Sequence, residues 1–184
     1  MEAAPTSEPG SGSLSARNNA DRQVEGGVTG QGLADYELGR ALGKGKFATV
    51  YRAKRLADNL DVALKRVSVN RMDEKARTKA LKEVRLVAAL NHPNVVKYHD
   101  SFLEGEELIM VLEWAPAGDL KRQIRKAQER GFHFEERIVW KYFAQVADAV
   151  AHMHERRIMH RDLKPANVFL TLNGTVKVFY AKHL

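Results

Sequence analysis

Near Gly118 the hydrophobic period of this sequence shifts from mainly strand-like to mainly helical, and that shift limits the folds open to it. Before it, short runs of strand character are separated by turn signals. Residues 36–42 and 49–54 flank a glycine-bearing turn, Asp58-Asn59 marks a second turn, and 62–69 reads as a third strand. Residues 95–103 and 108–114 read as two more strands, joined at Glu104-Gly105-Glu106. One helical segment, 73–90, interrupts them and is broken by His92-Pro93-Asn94. After Gly118, Val139, Phe143, Val146, Val150 and Met153 recur at helical spacing, which predicts a core-facing helix. Val168-Phe169-Leu170 and Val176-Lys177-Val178 around Asn173-Gly174 predict a closing short hairpin. Strands with one helix, then helices with a small hairpin, predict an α+β fold of two unequal lobes without an internal repeat.

The chain's 184 residues suffice for one ordinary domain with a substantial core. No apolar run approaches a membrane span, and the N-terminus lacks the apolar block of a signal peptide. The absence of cysteine excludes disulfides, thiolate metal sites and thiol catalysis, and fits a reducing compartment. A net charge of +7 suits phosphates or acidic partners, or simply a solvated surface. Its bases are dispersed among acids with no stacking aromatics nearby, which argues against nucleic acid. Residues 1–34 are rich in Gly, Ser, Ala and Glu without hydrophobic period, so they are expected to form a disordered tail, regulatory or inert.

Four features carry chemistry. Gly43-Lys44-Gly45-Lys46-Phe47-Ala48-Thr49-Val50 is a glycine turn between strands, where backbone N–H groups can approach phosphate oxygens; a purely steric hairpin turn has the same look. It is not a Walker A loop, because Lys44 is followed by glycine. Lys65, in Val62-Ala63-Leu64-Lys65, shares a strand face with Ala63, Val67 and Val69, so it needs an anion or an edge position open to water. Glu83 falls inside the apolar stripe Ala76, Ala80, Val87, Leu90 of the 73–90 helix. Each charge is anomalous alone and each resolves the other; the alternative is a half-buried stripe with Glu83 solvated. The fourth feature is His160-Arg161-Asp162-Leu163-Lys164-Pro165-Ala166-Asn167. There Asp162 can orient a hydroxyl and take its proton, Lys164 can neutralise a transferring phosphoryl group, and Asn167 can bind a metal.

In this order, from about Tyr36 to Val178, the motifs resemble those of eukaryotic protein kinases. Lys164-Pro165 is the serine/threonine form of the catalytic loop. Leu90-Asn91-His92-Pro93-Asn94-Val95, Ala117-Gly118-Asp119-Leu120, Val139-Trp140-Lys141-Tyr142-Phe143 and the stretch 159–169 are similar to the NIMA-related kinases, especially their short members. The resemblance implies a complete β-rich small lobe with helix C and the hinge (35–115), a truncated helical large lobe with the catalytic loop (116–178), and a divergent end (179–184). It implies ATP and Mg²⁺ as cofactors, with Gly43 and Gly45 in the phosphate loop and Lys65, paired with Glu83, holding the α- and β-phosphates. Leu42, Val50 and Ala63 would roof the adenine, Phe169 would floor it, and Leu112 would stand at the back. Glu113 and Ala115 would offer backbone hydrogen bonds, and Asp119 would reach the ribose. Asp162 would be the base and Asn167 the metal ligand. Protein substrates, a kinase-family or regulatory partner, and a cytoplasmic, nuclear or microtubule-associated setting are implied in the same way.

One departure bears on activity. After Val178 the family places Asp-Phe-Gly, or Asp-Leu-Gly in this subfamily, whose Asp holds the metal bridging the phosphates. Here Phe179-Tyr180-Ala181-Lys182-His183-Leu184 follows, with Tyr180 in the place of that Asp. The expectation is negligible phosphotransfer by this chain, and an apolar face on the 139–153 helix left open to a partner. Three readings stand at this point. They are a kinase by family, a non-catalytic module that binds nucleotide or a partner, and an abnormal product of splicing or gene prediction.

Overall fold

The computed structural model describes residues 32–45, 47–70 and 72–180. The expected tail therefore lies, up to residue 31, outside the described residues, as do residues 181–184 of the divergent end. The description begins with a single 3₁₀ turn, Leu33–Asp35, whose Leu33 packs on the small-lobe core.

Five strands form an antiparallel sheet in the order β1-β2-β3-β5-β4: β1 (Tyr36–Lys44), β2 (Ala48–Arg55), β3 (Leu60–Ser68), β4 (Tyr98–Glu104) and β5 (Glu107–Glu113). The turn between β2 and β3 is set by Asp58, whose Oδ1 accepts the Leu60 amide at 3.2 Å, and by Asn59 at φ 58°. Strand alternation divides the central strands between two faces. Val62 and Leu64 of β3 with Ile109 and Val111 of β5 join Tyr36 and Ala53 on one side. Ala63 and Val67 with Leu108, Met110 and Leu112 face the other, larger cluster. The second cluster is covered by α1 (Glu74–Ala88) through Val84 and Val87. Helix α1 is started by Asp73, whose Oδ1 accepts the Ala76 amide at 2.7 Å.

The chain then departs from expectation. Residues 95–97 read as the start of β4, but Val95 instead makes a parallel bridge to Val178, and the sheet strand begins at Tyr98. The Val96 amide donates to Val178 O at 2.9 Å and the Val178 amide to Asn94 O at 2.7 Å. Backbone groups that a longer β4 would have used thus tie the two lobes together.

The helical part holds α2 (Leu120–Glu129) and α3 (Glu136–Glu155), with β6 (Gly118–Asp119), β7 (Val168–Leu170) and β8 (Val176–Val178) in a small sheet ordered β6-β7-β8. Helix α3 buries Ala149 and Met153, with Tyr142 and Val146 partly covered. That stripe is rotated by about one residue from the expected one, and Val139 and Phe143 stand 52% and 61% exposed. The β7–β8 connection is also longer than a two-residue turn. The Thr171 amide still pairs with Thr175 O at 3.0 Å, and Gly174 takes φ 73° to close the loop.

Three elements meet at one polar side chain. Gln145 Oε1 on α3 accepts from Asn94 Nδ2 and from the Val176 amide, both at 2.9 Å, while Asn94 Nδ2 also donates to Val176 O at 3.0 Å. A further tie is the Lys177–Glu113 ion pair at 2.8 Å, between β8 and the end of β5.

Candidate active site

Lys65 lies in the middle of the sheet, opposite Val50 of β2 and Met110 of β5, and is 4% exposed. Burial pushes its ammonium down to about 8, and the field of Glu83 opposes that shift. Glu83 is itself 6% exposed on the buried face of α1. The solvated alternative for Glu83 is therefore excluded, and the two charges lie within one electrostatic neighbourhood. The ring of Phe179 covers the cation, with Lys65 Nζ 5.3 Å from its centroid.

Around this pair, Ala63 and Leu112 belong to the larger core cluster, with Val50, Phe169 and Phe179 packed on it. These residues come from both lobes and belong to, or pack on, one apolar cluster. Ala115, just beyond β5, is buried. Glu113 is more committed than expected. Its amide donates to Lys97 O at 2.8 Å, and its carboxylate holds Lys177 and accepts the Lys97 amide at 3.0 Å. Its amide is therefore already engaged within the protein.

Other expected contacts are placed differently. Leu42 is exposed on β1 and lies outside the clusters. Gly43 stays in β1 opposite Val50, and the Gly45 amide donates to Ala48 O at 2.7 Å, closing the turn on itself instead of turning outward. A Cβ at Gly43 would meet nothing within 4 Å, whereas one at Gly45 would meet Ala48 O at 3.5 Å. Asp119 caps α2, its Oδ1 accepting the Arg122 amide at 2.8 Å. That carboxylate oxygen serves the helix before any ribose.

The loop 160–167 is pinned from several directions. His160 is buried; its Nδ1 accepts the Asp162 amide at 3.2 Å, and its Nε2 lies 3.0 Å from Phe179 O. This pair of contacts defines a neutral ring protonated at Nε2, and burial lowers its pKa accordingly. Arg161 takes φ 59°, a left-handed conformation costly for a side-chain-bearing residue, just before the key carboxylate. Pro165 opens the 3₁₀ turn Pro165–Asn167, whose last amide donates to Lys164 O at 2.8 Å. The Phe179 amide then donates to Asn167 O at 2.8 Å.

Within this frame Asp162 Oδ2 receives Lys164 Nζ at 2.8 Å and Asn167 Nδ2 at 3.0 Å. Lys164 first, and Asn167 second, hold its carboxyl below the usual aspartate value. Both contacts fall on one oxygen, so Oδ1 is the atom left to face a hydroxyl. Asn167 Nδ2 also bonds Asp162 O at 2.7 Å, so both of these contacts run through the amide nitrogen of the side chain.

Magnesium is tested against these donors. Among the described residues no group of three or more His, Asp or Glu converges as a metal site. Tyr180 is buried, with its ring edge-on to His160 at 5.8 Å and its hydroxyl pKa raised by burial and then by Glu83. Tyr180 thus puts an aromatic ring where the resemblance expects an aspartate, and a phosphate-bridging magnesium does not fit the residues present.

Sequence alone does not reveal Phe179 as part of the site: its place after β8 marks it as divergent end, and its contact with Lys65 depends on how the lobes pack.

A family model described as protein kinase domain matches residues 36–179. Mouse serine/threonine-protein kinase Nek1 is 35% identical over 137 residues, covering 74% of this chain and 11% of Nek1. Human serine/threonine-protein kinase Nek5 is 35% identical over 141 residues, covering 77% of this chain and 20% of Nek5. The Aurora/IPL1-related protein kinase 2 of Caenorhabditis elegans is 33% identical over 147 residues, with 79% and 47% covered. The chain spans less than half the length of each of these relatives. The match to NIMA-related kinases agrees with the resemblance carried by the motifs.

Proposed function

We propose, for a chain that belongs to the protein kinase family, that it is the purine-binding and hydroxyl-orienting part of a serine/threonine phosphotransferase in which binding persists and phosphoryl transfer is all but lost. The observation that carries the first half is Asp162, ionised and pinned through Oδ2 by Lys164 and Asn167 with Oδ1 free to receive a serine or threonine proton. Purine binding is supported by Val50, Ala63, Leu112 and Phe169, which come from both lobes and belong to or pack on one apolar cluster, and by the buried Ala115 just beyond β5. Bound ATP would supply the phosphoryl group. Lys164 would offset charge on the transferring group while Asp162 orients the acceptor.

The second half is carried by Tyr180. Charge stabilisation worth about 4 kcal/mol corresponds to about a thousandfold in rate, and among the described residues no acidic side chain follows Val178 to contribute it. Purified protein given γ-labelled ATP, magnesium and a generic protein substrate should therefore transfer phosphate no faster than its Asp162→Asn variant. Transfer that is clearly above background and is abolished by Asp162→Asn would overturn the catalytic half of the reading.

A further inference from the structure

We infer that Phe179 is a built-in plug of the nucleotide cleft, its ring occupying the face of Lys65 that a phosphate would have to approach. The inference rests on the purine-binding reading above. Its geometry is independent of that reading. Lys65 is enclosed by β2 and β5 on either side, and the Phe179 ring lies over its ammonium at 5.3 Å. The same ring meets Phe169, the expected floor of the purine site, edge-on at 6.1 Å. Phe179 therefore bridges the two halves of the cleft, the cation at one end and the aromatic floor at the other.

The plug is fixed through its backbone and free only through its side chain. The Phe179 amide is held by Asn167 O at 2.8 Å and its carbonyl by His160 Nε2 at 3.0 Å. The two residues that hold it also position Asp162, Asn167 directly and His160 through the Asp162 amide. An anion reaching Lys65 must rotate the ring away and give up the cation–aromatic contact together with the apolar packing against Phe169. What it gains is a desolvated ammonium whose present neighbours are an uncharged ring and the field of Glu83. The ring and a phosphate are thus competitors for one cation, and removing the ring should favour phosphate.

Two measurements on the purified full chain test this. In calorimetric titration, Phe179→Ala should bind ATP at least tenfold more tightly than wild type. Adenosine should change by less than threefold, and Phe179→Tyr, which keeps the ring, should behave as wild type. Equal ATP affinity in wild type and Phe179→Ala, with both binding, would refute the plug and leave the purine reading standing. If neither binds ATP or adenosine, the purine reading fails and the second measurement decides the plug. That measurement is acylation of lysines by a small amine-reactive ester at pH 8, followed by peptide mass spectrometry. Lys65 should react at least threefold faster in Phe179→Ala than in wild type, relative to exposed Lys121. An unchanged relative rate in folded protein would overturn the proposal. Phe179→Leu, which keeps apolar volume without a π face, replaces the alanine variant if thermal unfolding shows the latter misfolded.

Discussion

Lys65 is where sequence and structure place the largest electrostatic demand on a single side chain. Its folded pKa of about 8 lies below the ordinary value of 10.5, so between these values the unfolded chain binds more protons than the native one. Stability must then rise with pH across that window, and the penalty is fully present below it. From pH 7.5 to 9.5 the wild type should gain about 2 kcal/mol from this group, given about 1.4 kcal/mol per pH unit of differential protonation. Lys65→Met should lose that slope, whatever its absolute stability. Denaturant unfolding at four or five pH values checks it, and equal slopes in the two proteins would show that Lys65 is better solvated than its surroundings indicate. Lys65 and Glu83 were legible from sequence because a charge inside an apolar stripe needs an explanation. Asp162, Lys164 and Asn167 were legible because their spacing serves a reaction. Asp119 was legible only as an acid; that it caps α2 depends on where the helix begins.

At the scale of elements, alternation showed the strands and periodicity showed the helices, but neither shows which element meets which. The rotated face of α3 is an example. Val139-Phe143 and Tyr142-Val146 are both spaced for a helix face, and only packing against the rest of the core selects the second. The same holds for 95–97, whose composition suits β4 but whose backbone is claimed by β8. Gln145 is the most demanding of these junctions. Gln145→Ala would leave the Asn94 amide and the Val176 N–H without their shared acceptor, with Asn94 itself 7% exposed. The expected cost is about 2 kcal/mol, read as a lower denaturant midpoint at unchanged m-value. Gln145→Glu keeps an acceptor oxygen in place and should cost less. If the two variants are equally destabilised, the junction acts through packing and not through hydrogen bonding.

At the scale of the whole molecule, the first turns of α3 carry a cluster of exposed apolar side chains. Val139, Trp140 and Phe143 are 52%, 60% and 61% exposed, and the two rings meet edge-on at 5.7 Å. Clustered aromatic surface of this kind drives association in water. Phe143→Lys should therefore lower concentration-dependent light scattering of the purified chain while changing unfolding stability by no more than about 0.5 kcal/mol, as for an exposed position. Scattering that is unaffected would show that the patch does not govern association.

The lobes are joined in a way that affects how the cleft can breathe. Val96 and Val178 share one backbone bond, Val178 and Asn94 a second, and Lys177 and Glu113 an ion pair, all close to β8. A load that pulls the five-stranded sheet away from the small one is borne by these bonds together, as with a row of rivets, and not by one flexible joint. The cleft is braced at its back wall by these bonds, and Phe179, the residue directly after β8, is attached to that brace through its own backbone.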